Sequence, residues 1–325
     1  MQQPTRRSFT VSLGAIFTAP FVMAQASYPD RPVKMVIPFS AGGGTDVVGR
    51  VLAKSLSERL RQPVVIDNRV GAGSTIGTDA VAKSAAEGYT LLFASAAYSF
   101  APAVYSNLPY SLEDLTAVAV VNSTPLMLTI NPAVVSARDL NAFIRLLKAN
   151  PGKYNYASSG VGTTLHIAAE HFVRAAGLNV QHVPYKGEAP AMTDLLGGQV
   201  GFMVGQASSA AQYVKSGKLI GLGVTTPKRL AFLPEVPTLS EAGLPGFSAY
   251  GWNAVLVPRG TPAAIVNRLN QEINAAIAGS DMQTSFVELG LDRLDLVSPS
   301  GATAFIAAET AKWGPVIRSA GVKAD

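Results

Sequence analysis

Val33-Lys34-Met35-Val36-Ile37-Pro38-Phe39-Ser40-Ala41-Gly42-Gly43-Gly44-Thr45-Asp46 is the stretch on which the fold is decided. Its apolar start reads as a buried strand, and the strand runs into three consecutive glycines. A helical pattern follows at once. Val48, Val51, Leu52, Leu56 and Leu60 share one face, with Arg50, Lys54 and Glu58 elsewhere. Thr45 or Asp46 is the expected cap, accepting a hydrogen bond from a free N–H. Glycines let the backbone turn sharply and leave its N–H groups uncovered. A helix start adds unpaired donors and a partial positive charge. Two readings stand open: a seat for phosphate or carboxylate, or a glycine turn that binds nothing.

The 325 residues allow about two domains. With 48% hydrophobic and only 14% charged residues, a large core is expected and disorder is not. The formal charge of +5 includes Arg6 and Arg7; without them it is +3, which makes no case for nucleic acid. The chain has no cysteine, which excludes disulfides, thiol catalysis, iron–sulfur clusters, cysteine-held zinc and a lipid-anchored start. Three histidines argue against a histidine-rich metal site. No cofactor and no metal are expected.

Residues 1–26 read as an export signal. Arg6 and Arg7 form the basic start, Val11 to Val22 the apolar stretch, and Ala24-Gln25-Ala26 the cleavage site. Thr5-Arg6-Arg7-Ser8-Phe9 also resembles a twin-arginine signal, with Thr10 where an apolar residue is usual. The plainer alternative, a membrane anchor, is disfavoured by the shortness of the apolar run.

Val64 to Asn68 reads as the second strand, and Gly71 to Gly77 follows with glycines that could mimic a dinucleotide fingerprint. The next strand, Thr90 to Ala94, ends in Ser95 and not in the acid that would hold a ribose. A turn with close helix–sheet packing is the better account. Thr116 to Val121 and Leu126 to Ile130 read as two strand pieces interrupted by Asn122-Ser123-Thr124-Pro125, a candidate first crossing between domains.

Tyr154-Asn155-Tyr156-Ala157-Ser158-Ser159-Gly160-Val161-Gly162-Thr163-Thr164 repeats the opening stretch in kind. A short strand leads to a small-residue loop and a helix start, with Thr163 or Thr164 as cap. Two such starts facing each other would grip a small anion from both sides. His166 reads as a partly buried structural histidine bordering the cleft. Tyr185 and Lys186 read as surface turn residues. Val200 to Val204 and Leu219 to Val224 read as strands, the latter leading to Thr225-Thr226 as second crossing. Arg229 to Gly246 reads as an irregular excursion and Tyr250 to Val257 as a strand. Thr261-Pro262 then opens a helix with Thr as cap. Two shorter helices, near Met282–Leu289 and Ala302–Trp313, are expected to pack on the first domain.

Several motifs, spread in order over nearly the whole mature chain, carry a resemblance. They are Tyr28-Pro29-Asp30-Arg31-Pro32, Pro38 to Asp46, Asn68-Arg69-Val70-Gly71-Ala72-Gly73 and Gly88-Tyr89-Thr90-Leu91-Leu92. Further on come His182-Val183-Pro184-Tyr185-Lys186-Gly187, Leu233-Pro234-Glu235-Val236-Pro237-Thr238 and Glu241 to Phe247. The chain resembles the extracytoplasmic solute receptors of the tripartite tricarboxylate transporter family, also called Bug receptors. The resemblance implies an α/β, two-lobed periplasmic-binding-protein fold of type II (Venus flytrap), each lobe a sheet flanked by helices. The two crossings read above place lobe 1 at 27–122 and 226–325 and lobe 2 at 123–225. The resemblance also implies a small organic carboxylate as ligand, held partly through water, and membrane permease subunits as partners, with the receptor periplasmic and monomeric. By motif position, Ser40, Ala41, Gly42, Gly43, Gly44, Thr45 and Asp46 carry over as the carboxylate seat, and the loop Ser158 to Thr164 as its counterpart in the second lobe. Phe39 has two readings: it lies along an apolar part of the ligand, or it packs in the core. Ser95, Ser159, Gly162, Thr163, His166 and Gln206 are the further expected contacts.

One departure stands out. Relatives often have Val-Asp before the second-lobe strand and Asp after it, where this chain has Val200-Gly201 and Val204-Gly205-Gln206. Loss of an acid there would remove a partner for an ammonium group and tilt the ligand from amino acids to plain mono- or dicarboxylates. No G-x-S-x-G, H-E-x-x-H or P-loop is present, so a non-enzymatic receptor is expected. Two alternatives stand beside it: an exported nicotinamide-dependent oxidoreductase, which the missing acid after Thr90–Ala94 counts against, and a signalling receptor built on the same closing lobes.

Overall fold

The computed structural model describes residues 28–294 and 298–324. The expected export signal lies outside them. In the first part the chain forms β1 (Val33–Ile37), α1 (Gly44–Leu60), β2 (Val64–Asn68), α2 (Thr75–Ala82), β3 (Thr90–Ser95), α3 (Ala97–Val104) and the long β4 (Leu115–Ile130). Then come α4 (Leu140–Ala149), β5 (Asn155–Ser158), α5 (Thr164–Ala175), β6 (Gln181–Pro184), α6 (Glu188–Leu196), β7 (Phe202–Gln206), α7 (Ala207–Lys215) and β8 (Ile220–Val224). The chain ends with α8 (Leu239–Ala242), β9 (Tyr250–Pro258), α9 (Ala263–Ile277), α10 (Ser280–Leu289) and α11 (Pro299–Ala320).

The strands lie in the order β2-β1-β3-β9-β4-β7-β5-β6, with β8 paired to the far half of β4. β4 is shared: its near half completes a first sheet with β2, β1, β3 and β9, and its far half a second with β7, β5, β6 and β8. β1 alternates between two cores. Val33, Met35 and Ile37 meet Leu52 and Leu56 of α1 and Leu269 and Ile273 of α9, while Val36 faces the core that holds Phe100 and Trp313. This alternation is what a strand covered by helices on both faces requires.

β4 does not break at Asn122-Ser123-Thr124-Pro125, contrary to the sequence expectation. Its residues Leu115–Pro125 pair with β9, and Leu126–Ile130 pair with β7 and β8. Most of the polar groups here are paired, while Asn122 Oδ1 is buried without a partner among the described residues. Ser123 N–H donates to Asp292 O at 2.8 Å, and Asn122 Nδ2 donates to Thr124 Oγ1 at 3.1 Å. Pro125, which has no N–H to give, falls where the strand changes partners.

Two further expectations need correction. α9 begins after Pro262, which occupies the cap position, and Thr261 Oγ1 instead donates to Pro258 O at 2.7 Å. The last helix extends to Ala320 and is not confined to the first sheet. Its Trp313 meets Phe100 of α3 edge-on at 5.8 Å and His171 of α5 at 5.4 Å, so α11 ties helices of both sheets together. α10 does pack where expected, on the side of α1 and α9.

Candidate functional site

Strand directions decide which loops can meet. β1 and β3 are parallel, and both run with β4, since each is separated from it through the antiparallel β9. β5 and β7 are parallel to each other and run against β4. The C-terminal ends of β1 and β3 therefore point toward those of β5 and β7. The loops leaving these ends face one another, where α/β sheets bind ligands.

The first loop joins β1 to α1. Gly42 has φ +81°, a left-handed conformation that glycine takes at little cost. Gly43, not Thr45 or Asp46, is the helix cap, at φ −74° and ψ 161°, and without a side chain it caps nothing. Asp46 stands third in the helix and reaches back: its Oδ2 accepts from Gly42 N–H at 2.8 Å and Arg50 Nε at 2.7 Å. Its Oδ1 accepts from Asn68 Nδ2 at 2.8 Å, and Asn68 also holds Phe39 O at 2.9 Å. Only 1% of Asp46 is exposed. Burial opposes its charge, but the hydrogen bonds from Arg50, Asn68 and Gly42 outweigh it and hold the carboxyl below its ordinary range. The N–H groups of Gly44, Thr45 and Asp46 have no acceptor among the described residues.

The second loop joins β5 to α5 and copies the first. Gly162 has φ +74°, and the cap Thr163 lies at φ −75° and ψ 163°. Gly43 N–H donates to Ser40 O at 3.3 Å, and Thr163 N–H donates to Gly160 O at 3.3 Å. Val47 N–H donates to Gly43 O at 3.0 Å, and Ile167 N–H to Thr163 O at 3.0 Å. Where the first loop has Asp46, the second has His166, whose Nδ1 accepts from Gly162 N–H at 3.1 Å. Thr163 holds the cap position as expected, but its hydroxyl donates to Gly160 O at 2.8 Å and accepts from Ser159 Oγ, so neither hydroxyl caps the helix.

The structure brings several expected residues together. A Cβ on Gly44 would collide with the side-chain amide of Gln206, so the start of α1 meets the end of β7 directly. Gly162 lies against Val104 of α3, where a Cβ would come within 2.9 Å of the valine side chain. Ser95 ends β3 with its hydroxyl 3.3 Å from Ala97 N–H, which donates to it. Phe39 is half-buried against the core of the first sheet, the plainer of its two readings, while Ser40 to Gly43 are exposed. Gly77 packs on Pro38 and on Arg69 O, as expected of a close turn and not of a nucleotide loop. Among the described residues no cluster of three or more His, Asp or Glu is placed to hold a metal ion, and no helix is long and apolar enough to cross a membrane.

Asn68 and Arg50 as holders of Asp46, and Glu188 as a neighbour of Gln206, are not legible in the sequence. Glu188 opens α6 and its Oε1 accepts from Gln206 N–H at 2.7 Å. The place left without an acid by β7 thus has one supplied by a helix, its carboxyl engaged by the Gln206 backbone and by Ser209. Burial pushes Glu188 up to about 7, against hydrogen bonds from Gln206 and Ser209. A carboxyl raised above its unfolded value of 4.5 costs stability as pH climbs from about 4.5 through about 7. Glu188→Gln keeps the acceptor and removes this cost. It is expected to exceed the parent in stability by about 1–3 kcal/mol at pH 8 and to match it near pH 4. Thermal unfolding at both pH values checks this, and equal stability at pH 8 contradicts it.

The profile of the tripartite tricarboxylate transporter family receptor matches residues 48–322. The chain belongs to this family. Protein BugT of Bordetella pertussis is 40% identical over 300 residues, covering 91% of each chain. The structure of the periplasmic binding protein BugD is similar with a TM-score of 0.84 at 36% identity, covering 91% of this chain and 100% of that one. That of R. palustris Rpa4515 with adipate is similar with a TM-score of 0.84 at 33% identity, covering 90% and 98%. The chain accordingly has the two-lobed α/β fold of periplasmic binding proteins.

Proposed function

We propose that this family receptor works in the periplasm as a non-enzymatic binder of a small organic carboxylate. The observation that carries the reading is the pair of helix starts with one backbone geometry, each with unpaired first-turn N–H groups, on strand ends that face each other. Donors of this kind favour an anion. The proposed contacts are Phe39 to Asp46 and Ser95 on one side, and Ser159, Gly162, Thr163, His166 and Gln206 on the other. The relative solved with adipate supports a dicarboxylate. Glu188 beside Gln206 leaves room for ligands that also carry a donor group.

The lobe limits proposed are 27–122 with 226–325 for the first and 123–225 for the second. They are supported by β4 changing partners after Pro125 and by Thr225, whose N–H donates to Leu126 O while its own O accepts from Ala249 N–H. Lobe closure over the ligand makes both sets of contacts at once and shifts the receptor to its closed form. The monomeric closed receptor then delivers its ligand to a tripartite tricarboxylate-type permease.

Calorimetric titration with succinate, malate, adipate and aspartate tests the reading. At least one is expected to bind one-to-one with a Kd of about 1 μM or below, about −8 kcal/mol. No heat with any of them, and tight binding of a nicotinamide nucleotide instead, would overturn it.

A further inference from the structure

The two loops agree in backbone but differ in the group that closes them. Gly42 N–H is held by a carboxylate, Asp46, which is itself paired with Arg50. Gly162 N–H is held by an imidazole, His166, at the same place four residues on. Resting on the reading above, we propose that His166 is the positioning residue of the second loop, and that it is selective for an anionic ligand because it supplies the acceptor without adding negative charge.

The surroundings fit that role. The His166 ring is 4% exposed and stacks on His182 of β6 at 3.9 Å between ring centres. His182 in turn is fixed by Ser158, whose Oγ lies 2.6 Å from its Nε2. The other titratable groups around it are Tyr156 of β5, with its ring 6.4 Å away, and Glu170 of the same helix, which accepts from the Tyr156 hydroxyl. Burial and the neighbouring His182 push His166 down to about 3, and burial pushes His182 to about 4, so both rings are neutral across the physiological range. A neutral ring can accept from Gly162 N–H; an imidazolium cannot. A carboxylate at position 166 would also accept, but its charge would lie beside the N–H groups of Thr164, Leu165 and residue 166 itself, where the ligand's own charge is expected.

Three variants separate acceptor from charge. His166→Asn keeps a neutral acceptor near the Nδ1 position and is expected to regain most of the dicarboxylate affinity that His166→Leu loses. His166→Asp keeps an acceptor and adds charge; its affinity at pH 8 is expected to fall about 30-fold or more. Its deficit relative to the parent should shrink toward pH 5 as that carboxyl takes up a proton, a pH profile that a packing role would not create. His166→Leu removes the acceptor and should lose affinity without regaining it at low pH. Parent-like binding by His166→Asp, or an Asn variant as weak as the Asp variant, overturns the proposal. Imidazole ¹⁵N NMR of the ligand-free parent gives a readout that needs no ligand. Nδ1 of His166 is expected to be bare and Nε2 protonated from pH 5 to 8, and the opposite tautomer or a protonated ring overturns the assignment. A parent that binds no carboxylate sinks the functional reading instead, and the NMR result still decides the role of His166.

Discussion

Asp46→Ala is expected to lower stability by about 2–4 kcal/mol and to abolish measurable carboxylate binding. The side chain is buried and accepts from Gly42 N–H, Arg50 and Asn68. Truncation leaves the Gly42 N–H and one Asn68 proton without their acceptor. Arg50 is half exposed and can turn to water, so its share of the loss is small. The damage reaches the site because Asn68 also anchors Phe39 O, which fixes where the glycine loop leaves β1. Asp46→Asn keeps the shape but has no charge for Arg50, and it turns a donor toward groups that already donate. Urea unfolding followed by calorimetry on the refolded protein checks both effects. An unchanged unfolding midpoint with parent-like binding would contradict the account of the first loop.

The second large effect concerns the joint between the lobes. Trp313→Ala in α11 is expected to cost about 3–5 kcal/mol, the usual loss for a large aromatic side chain removed from a core. The indole is 2% exposed, lies edge-on to Phe100 and to His171, and donates through Nε1 to Glu309 at 3.0 Å. Removing it opens a void between helices α3 and α5, which belong to different sheets. Trp313→Phe, which fills most of that space, should recover more than half of the loss. Equilibrium unfolding of the three proteins measures this, and a loss below about 1 kcal/mol for the alanine protein would mean that α11 does not bridge the two sheets energetically.

The site was legible in the sequence wherever its cause is local. An apolar run, three glycines and a periodic helix are contiguous, and so β1, the first loop and α1 lie where Val33 to Leu60 read them. The second loop was legible for the same reason. What the sequence hid depends on partners far along the chain. Asn122 and Ser123 look like a break until Asp292 is there to pair with Ser123. Glu188 gives no hint of Gln206, because α6 and β7 meet only in the fold. The correspondence of Asp46 with His166 was invisible since the side chains differ in every respect except that each accepts from a glycine N–H four residues back. Cap positions misled because Thr45, Asp46 and Thr261 are good capping residues standing beside Gly43 and Pro262, which take the place. By contrast, Thr238-Leu239-Ser240-Glu241 carried a capping-box signal that was there to be read: both of its reciprocal bonds form at the start of α8.

Hydrogen exchange of the backbone amides, read along a titration with the dicarboxylate that binds, reaches the central claim most directly. If a ligand is gripped between the two helix starts, the amides of Gly44 to Asp46 and of Thr164 to His166 gain protection together. Both should saturate at the same ligand concentration, while edge strand β2 is unaffected. Protection of one loop alone, or of neither while calorimetry reports binding, would contradict it.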